Sequence, residues 1–184
     1  MKRFSILWIS AAVLILDQLS KFIIKSTMSL YQSIPVFGNF FKITYVENPG
    51  MAFGISIGNN AFFTIFAVIA SVAILVYIFK MKGDELLARI AMASIFGGAV
   101  GNLLDRILRG QVVDFLDCEF FNIHIPAFDF LFMHFSGYSM TRWPVFNVAD
   151  MAVTIGMIIL LFFVAFEKEH SRVVNLQSDS EMVR

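Results

Sequence analysis

The chain has 184 residues, of which 58% are hydrophobic and 15% are charged. This composition is too apolar for an ordinary soluble domain and too poor in charge for a disordered chain. Basic and acidic residues number 14 each, so no net positive charge is present to hold a nucleic-acid backbone, and nucleic acid is excluded as a partner. A polytopic membrane protein with a single domain over residues 1–184 is therefore predicted.

Four stretches approach the roughly 20 apolar residues that a helix needs to cross a bilayer. They cover residues 4–24, 61–79, 86–108 and 145–166. We interpret the first as a retained anchor, because no small-residue cleavage site follows Lys2 and Arg3. The polar tail over 167–184 lacks an apolar stripe and is predicted to be disordered. The predicted fold class is an all-α membrane protein with four transmembrane helices.

The distribution of basic residues predicts the topology. Four spans place both termini and the short connection at 80–85 on one side, and the excess of lysine and arginine there favours the cytoplasm. Two outer loops follow, over about 25–60 and 109–144. In the first, aromatic and β-branched residues alternate over 37–46 and predict a small β-sheet, followed by turn residues over 47–50. The second loop is rich in phenylalanine and is expected to lie at the membrane interface.

Charged and small residues inside the spans are informative, because each buried charge costs about 2.5 to 3.5 kcal/mol on insertion scales. Asp17 and Lys21 lie four residues apart on one helix face, and an ion pair that fixes the helix is one interpretation. The small residues from Gly97 to Gly101 favour close packing of a second helix. Asn102, Asp105 and Arg106 follow within about one turn at the outer end of the third span.

Two aspartates, Asp114 and Asp150, emerge at the same outer surface by this topology. For Asp150 a plain alternative exists, because Asn147 is suited to cap the fourth helix and an acid three residues later favours the helix dipole. If the two carboxylates meet in a partly dry site, they share a proton and are suited to acid–base chemistry on water and a peptide carbonyl. Spacing alone leaves both interpretations open.

Other chemistries have little support in the sequence. The three histidines, His124, His134 and His170, are scattered, and the lone Cys118 cannot build a thiolate zinc site. Cys118 also lies among acids, which disfavours a reactive thiolate. No serine lies in a nucleophile-elbow arrangement. We therefore predict no metal and no cofactor.

Four segments together resemble those of the bacterial lipoprotein signal peptidases (signal peptidase II), which are aspartic peptidases of the inner membrane. The segments, in the order of the family, are Asp17-Gln18-Leu19-Ser20-Lys21, Asn48-Pro49-Gly50-Met51-Ala52-Phe53-Gly54, the run from Gly97 through Arg106 with Val112-Val113-Asp114-Phe115, and Phe146-Asn147-Val148-Ala149-Asp150. The resemblance covers nearly the whole chain, from the first helix to the fourth.

The resemblance implies that Asp114 and Asp150 form the catalytic dyad, at the periplasmic face of the inner membrane. It implies that a further set of residues binds substrate or orients the carboxylates: Asn48, Asn102, Arg106 and Asn147. Other motif positions are implied to give structural support: Asp17, Lys21, Gly50, Gly54, Gly98, Gly101 and Asp105. The small sheet of the first outer loop corresponds to the cradle of the family.

The implied reaction is removal of the signal peptide from prolipoproteins by cleavage before a cysteine that carries a diacylglyceryl group. The implied partners are this lipid-modified substrate and membrane lipid, and the enzyme is expected to be a monomer. One segment departs from the family pattern, since residues 120–138 are long and aromatic and resemble an insertion. It is interpreted as a lid or as an interfacial anchor.

Two other function classes remain open on the residues alone. A small transporter or channel would use Asp17, Lys21, Asp105 and Arg106 as an ion path. A non-catalytic assembly subunit would use Gly97 and Gly101 as its docking face.

Overall fold

A computed structural model describes residues 5–52, 55–56, 60–81, 85–130, 133–135 and 137–182. The four helices are α1 (Leu7–Thr27), α2 (Asn60–Lys80), α3 (Leu86–Arg109) and α4 (Val148–Met182). The strands are β1 (Ser33–Phe37), β2 (Phe41–Asn48), β3 (Met51–Ala52), β4 (Ile55–Ser56), β5 (Val112–Ile125), β6 (Phe128–Phe130), β7 (Met133–Phe135) and β8 (Tyr138–Arg142).

Each helix contains a segment long and apolar enough to cross a membrane. These segments are Leu7–Thr27, Ala61–Lys80, Leu86–Arg109 and Val148–Phe166. Their composition explains their form: the segment on α2 has the highest mean hydropathy, 2.7, and little of it is buried inside the protein. A helix that is apolar on all sides faces lipid. The predicted fold class, with four membrane helices and a small sheet, is confirmed.

The chain divides into two compact units. The helical unit comprises Met1–Asp17, Ile65–Leu104 and Val148–Arg184, and the sheet unit comprises Gln18–Thr64 and Asp105–Asn147. In the helical unit, a buried apolar cluster is formed by Ile6, Ile78, Met81, Ala88, Met92, Ala93 and Ile95. The Ser10 hydroxyl donates to the Ala93 carbonyl at 2.7 Å, which satisfies a buried polar group beside this cluster.

The sheet unit contains a four-stranded antiparallel sheet in the order β1-β2-β5-β8. The sheet is larger than predicted, because β5 and β8 come from the second outer loop, for which sequence reasoning expected only an interfacial segment. In β5 apolar residues also stand side by side, as at Val112-Val113 and Phe120-Phe121, so the strict alternation that identifies a strand is missing. Two short pairs, β3 with β4 and β6 with β7, complete the described strands.

The polar tail differs from its predicted form. The composition predicts disorder after Phe166, but α4 continues without a break to Met182. The residues after Phe166 include several good helix formers, glutamate, lysine and arginine among them, and contain no glycine or proline that would end the helix. Continuation of an existing helix also avoids the cost of a new nucleus.

Candidate active site

Asp114 lies near the start of β5 in the sheet unit and is only 3% exposed. One of its carboxylate oxygens, Oδ2, accepts a hydrogen bond from the side-chain amide of Asn48 at 3.1 Å. The other, Oδ1, accepts from the side-chain amide of Asn147 at 2.7 Å. Both oxygens therefore face N–H donors, and the carboxylate is held between residues from two different segments.

Asn48 reaches Asp114 because of the pairing register of two strands. In the β2–β5 ladder Val46 lies opposite Asp114, and Asn48 lies opposite Val112. Asn48 and Asp114 are therefore diagonal neighbours on the same face of the sheet.

A tight turn fixes which way the Asn48 amide points. The side-chain oxygen of Asn48 accepts the backbone N–H of Gly50 at 2.9 Å, so its nitrogen is directed to Asp114. Gly50 has φ +109°, a conformation that side-chain-bearing residues rarely adopt, and an added Cβ would lie 3.0 Å from the Phe63 ring. Glycine at this position thus permits the turn, as the sequence indicated.

Asn147 is fully buried immediately before α4. Its amide nitrogen donates to the Val113 carbonyl at 3.3 Å as well as to Asp114. The preceding residue, Phe146, forms an isolated antiparallel bridge with Leu116 of β5, with N–O distances of 2.7 and 3.0 Å. This bridge places Asn147 beside Asp114.

Asp150 lies in the helical unit, in the first turn of α4, and is half-buried. Its Oδ1 accepts the side-chain amide of Asn102, on α3, at 2.8 Å. The start of α4 is further held by Asp17, whose Oδ1 accepts the backbone N–H of Ala149 at 3.0 Å. Asn147 occupies the expected cap position, and its amide nitrogen is directed to β5. The Asp17 carboxylate of α1 provides an acceptor for the Ala149 N–H of the first turn.

Two glycines allow α3 to approach the start of α4 closely. A Cβ on Gly98 would overlap the Ala149 carbonyl oxygen, and one on Gly101 would lie 2.6 Å from Oδ2 of Asp17. Contacts under 3.0 Å are not tolerated without movement. The close helix contact indicated by these small residues is present.

Asp105 is fully buried in the sheet unit, and both of its carboxylate oxygens accept from several partners. Its Oδ2 pairs with Lys21 at 2.9 Å, and both side chains are inaccessible to solvent. The same oxygen accepts the backbone N–H of Val113 at 3.3 Å, and Oδ1 accepts from Arg109 and, at 3.4 Å, from Gln18. Asp105 therefore connects α1 and α3 to the residue directly before Asp114.

Glu47 forms a second ionic cluster that sequence reasoning did not identify. Its Oε1 accepts from Lys25 at 2.8 Å and from the Tyr45 hydroxyl at 2.7 Å, and its Oε2 accepts from the Gln111 amide. The hydrogen bonds from Lys25 and Tyr45 hold the pKa of Glu47 below its usual value. Burial and the bond to Glu47 raise the pKa of Tyr45 to about 12.

The remaining predicted residues have varied outcomes. Arg106 is half-buried on α3, and its role in substrate binding stays a prediction. Gly54 lies outside the described residues. Cys118 is half-buried, and burial, with the neighbouring Asp117 charge, raises the pKa of its thiol, which disfavours the thiolate. In the described ranges no group of three His, Cys, Asp or Glu side chains could hold a metal ion.

Comparison with known proteins identifies relatives over most of the chain. A family model described as signal peptidase (SPase) II matches residues 9–166. A lipoprotein signal peptidase of Syntrophus aciditrophicus is 39% identical over 168 residues, covering 88% of this chain and 93% of the relative. One from Alteromonas mediterranea is 43% identical over 161 residues, covering 84% and 77%.

The fold has solved counterparts. A structure described as a bacterial membrane enzyme determined by the in meso method at 2.3 Å resolution is 34% identical, with a TM-score of 0.71. The match covers 91% of this chain and 90% of that chain. A second, at 1.9 Å resolution, is also 34% identical, with a TM-score of 0.69 and coverage of 87% and 92%.

Proposed function

Because this chain belongs to the signal peptidase II family, we propose that it cleaves prolipoproteins before their diacylglyceryl-modified cysteine, with Asp114 and Asp150 as an aspartic dyad that activates water. Family membership favours this peptidase over the ion path and the assembly subunit considered from the residues. It also fits a multi-pass protein of the bacterial inner membrane, with both termini cytoplasmic and the site at the periplasmic face. The observation that supports the dyad is that side-chain amides donate hydrogen bonds to both aspartates. Asp114 accepts from Asn48 and Asn147. Asp150 accepts from Asn102.

We assign the role of general base to Asp114. N–H donors face both of its oxygens, an arrangement that stabilises an ionised carboxylate. In the proposed first step, ionised Asp114 takes a proton from water while the water oxygen attacks the carbonyl carbon of the scissile bond. Protonated Asp150 gives its proton to the carbonyl oxygen, and a neutral tetrahedral diol results.

The second step returns both groups to their starting states. Asp114 gives its proton to the departing amide nitrogen, Asp150 takes a proton from one hydroxyl of the diol, and the carbon–nitrogen bond breaks. The products are the free signal peptide and a lipoprotein with an amino-terminal modified cysteine. Atoms and charge balance with water as the only co-reactant.

Two features support joint action of the aspartates. Asn147, which binds Asp114, lies only three residues before Asp150 in the chain. Each aspartate is also held at a fixed helix or strand position by buried contacts. Rigid placement of acid and base is what such catalysis requires.

The proposal is tested with purified protein in detergent, a diacylglyceryl-modified prolipoprotein and its unmodified counterpart. We expect cleavage of the modified form only, and a loss of about 1,000-fold or more in kcat for Asp114→Asn and for Asp150→Asn. Glu119→Gln is the matched control, because Glu119 is an exposed carboxylate on the same strand as Asp114. Turnover retained in either folded aspartate variant would refute the dyad.

A further inference from the structure

The two faces of the β2–β5 ladder carry two diagonal side-chain pairs at the same end. On one face are Asn48 and Asp114. In the register, Glu47 lies opposite Val113, so Gln111, two residues before Val113, is its diagonal neighbour on the other face. Glu47 accepts a hydrogen bond from Gln111 there. The ladder is thus bonded through side chains on both of its faces.

Helix α1 anchors that second face. Lys21 and Lys25 are four residues apart, so they project from one side of the helix. Lys21 pairs with Asp105, which accepts the Val113 N–H of β5, and Lys25 pairs with Glu47 of β2 at 2.8 Å. Strand β5 is therefore connected to α1 through Asp105 and Lys21. Strand β2 is connected to α1 through Glu47 and Lys25.

The Glu47 carboxylate is suited to this task. Only 16% of its side chain is exposed, and it accepts from three segments: α1 through Lys25, β2 through Tyr45, and the turn before β5 through Gln111. Hydrogen bonds to a charged acceptor are stronger than those between neutral groups. Loss of this charge weakens all three connections at once.

We propose that Glu47 is a positioning residue for the reaction, which sets the approach of Asn48 to Asp114 by clamping β2 to β5 and to α1 from the opposite face of the sheet. The inference rests on the proposed function of Asp114. The Glu47 side chain lies on the opposite face of the sheet from the Asn48–Asp114 hydrogen bond, so its effect is exerted through the backbone. Small displacements of reacting groups have large kinetic effects, up to about 100-fold for about 1 Å.

The test compares wild type, Glu47→Gln and the control Glu119→Gln. We expect Glu47→Gln to lower kcat by about tenfold with KM within about twofold, because Glu47 lies on the face of the sheet opposite Asp114 and acts on its position only. Glu119→Gln leaves both unchanged. An unchanged kcat for Glu47→Gln, or a rise in KM alone, would overturn the positioning role.

A charge swap separates positioning from general destabilisation. Lys25→Glu and Glu47→Lys each lower kcat, and the double variant recovers part of it, since the ion pair with α1 is restored in reverse while a lysine side chain cannot accept from Tyr45 or Gln111. Failure of the double variant to recover activity while its thermal transition matches wild type contradicts the inference.

A readout independent of catalysis keeps the inference distinguishable from the proposed function. Amide hydrogen exchange over residues 41–48 and 112–118 is expected to be faster in Glu47→Gln than in wild type and Glu119→Gln. If wild type cleaves no prolipoprotein, the proposed function fails, and exchange still decides whether the clamp exists. Unchanged exchange in these segments refutes it.

Discussion

Asp17 accepts the backbone N–H of Ala149 at 3.0 Å, a hydrogen bond between residues 132 positions apart in the chain. The first residues of a helix have N–H groups without acceptors inside the helix, and an acidic oxygen there also interacts favourably with the helix dipole. A fully buried carboxylate on α1 therefore stabilises the turn of α4 that carries Asp150.

Removal of the Asp17 carboxylate is expected to loosen the start of α4. Asp17→Ala leaves the Ala149 N–H without this acceptor and costs about 1 to 2 kcal/mol, whereas Asp17→Asn retains an acceptor oxygen and costs less. The thermal transition temperatures of the purified variants in detergent show whether Asp17→Ala loses more stability than Asp17→Asn. Equal transition temperatures for Asp17→Ala and wild type contradict this role.

Gly98 is expected to tolerate no side chain. In Gly98→Ala the new Cβ overlaps the Ala149 carbonyl oxygen, a backbone atom that cannot move away by a change of rotamer. We expect a loss of about 2 kcal/mol or more in stability from overpacking and a fall in cleavage, since α4 carries Asp150.

Gly38→Ala is the matched control for that substitution. Nothing lies within 4 Å of a Cβ at Gly38, but its φ of +55° adds a backbone strain of about 1 kcal/mol. Thermal melting of both variants measures the difference. A smaller loss for Gly98→Ala than for Gly38→Ala is incompatible with the packing described.

The sequence predicts the membrane helices well, because a bilayer demands long apolar segments whatever their tertiary contacts are. Asp17 and Lys21 were also identifiable, since charges inside such segments are costly. Their long-range partners were not predicted, namely Ala149 for Asp17 and Asp105 for Lys21. Lys21 pairs with Asp105, 84 residues later, and such pairing depends on tertiary packing rather than on helical spacing.

The second outer loop shows a different limit. Strand β5 pairs with β2 and strand β8 pairs with β5. The pairing of β5 with β2 joins residues far apart in the chain, and no local sequence pattern predicts it. The sequence predicts only a turn at Glu47, because Asn-Pro-Gly follows it. The signal that could have identified it is Lys25, one helical turn after Lys21 on the same face of α1.

Stability is expected to fall at both extremes of pH through the Glu47 cluster. Burial and hydrogen bonding raise the pKa of Tyr45 from 10.0 to about 12, so the folded protein holds this proton more tightly than the unfolded chain. The contribution of Tyr45 to the free energy of unfolding is fully present below pH 10 and is lost as pH rises towards 12. The pKa of Glu47 is lowered from 4.5, so its contribution is present above pH 4.5 and is lost as pH falls below that value.

Melting temperature against pH, in wild type and in Tyr45→Phe, measures the alkaline effect. Because phenylalanine does not titrate, the decline between pH 10 and 12 is expected to be shallower in the variant. Glu47→Gln is the corresponding variant for the acid side. Identical alkaline slopes in wild type and Tyr45→Phe rule out the Tyr45 contribution.

Asn147 and Asn48 both bind Asp114, but the structure predicts unequal consequences of their loss. Asn147 is fully buried and its nitrogen also donates to the Val113 carbonyl, whereas Asn48 lies at the end of its strand and is half-buried. Asn147→Ala removes the shorter bond to Asp114, 2.7 Å against 3.1 Å, and creates a cavity between β5 and the residues before α4. We expect a fall in kcat of about 100-fold for Asn147→Ala and about tenfold for Asn48→Ala.

The two variants also differ in their expected effect on folding. Asn147→Ala leaves the Val113 carbonyl without this donor and lowers the thermal transition, because a buried polar group that loses its partner costs about 1 to 3 kcal/mol. Asn48→Ala mainly releases the Gly50 turn and leaves the transition close to that of wild type. Initial rates on the lipid-modified prolipoprotein, with melting curves of the same samples, separate the two effects. A larger loss for Asn48→Ala in both measurements would show that the turn at Gly50, rather than the segment before α4, controls the position of Asp114.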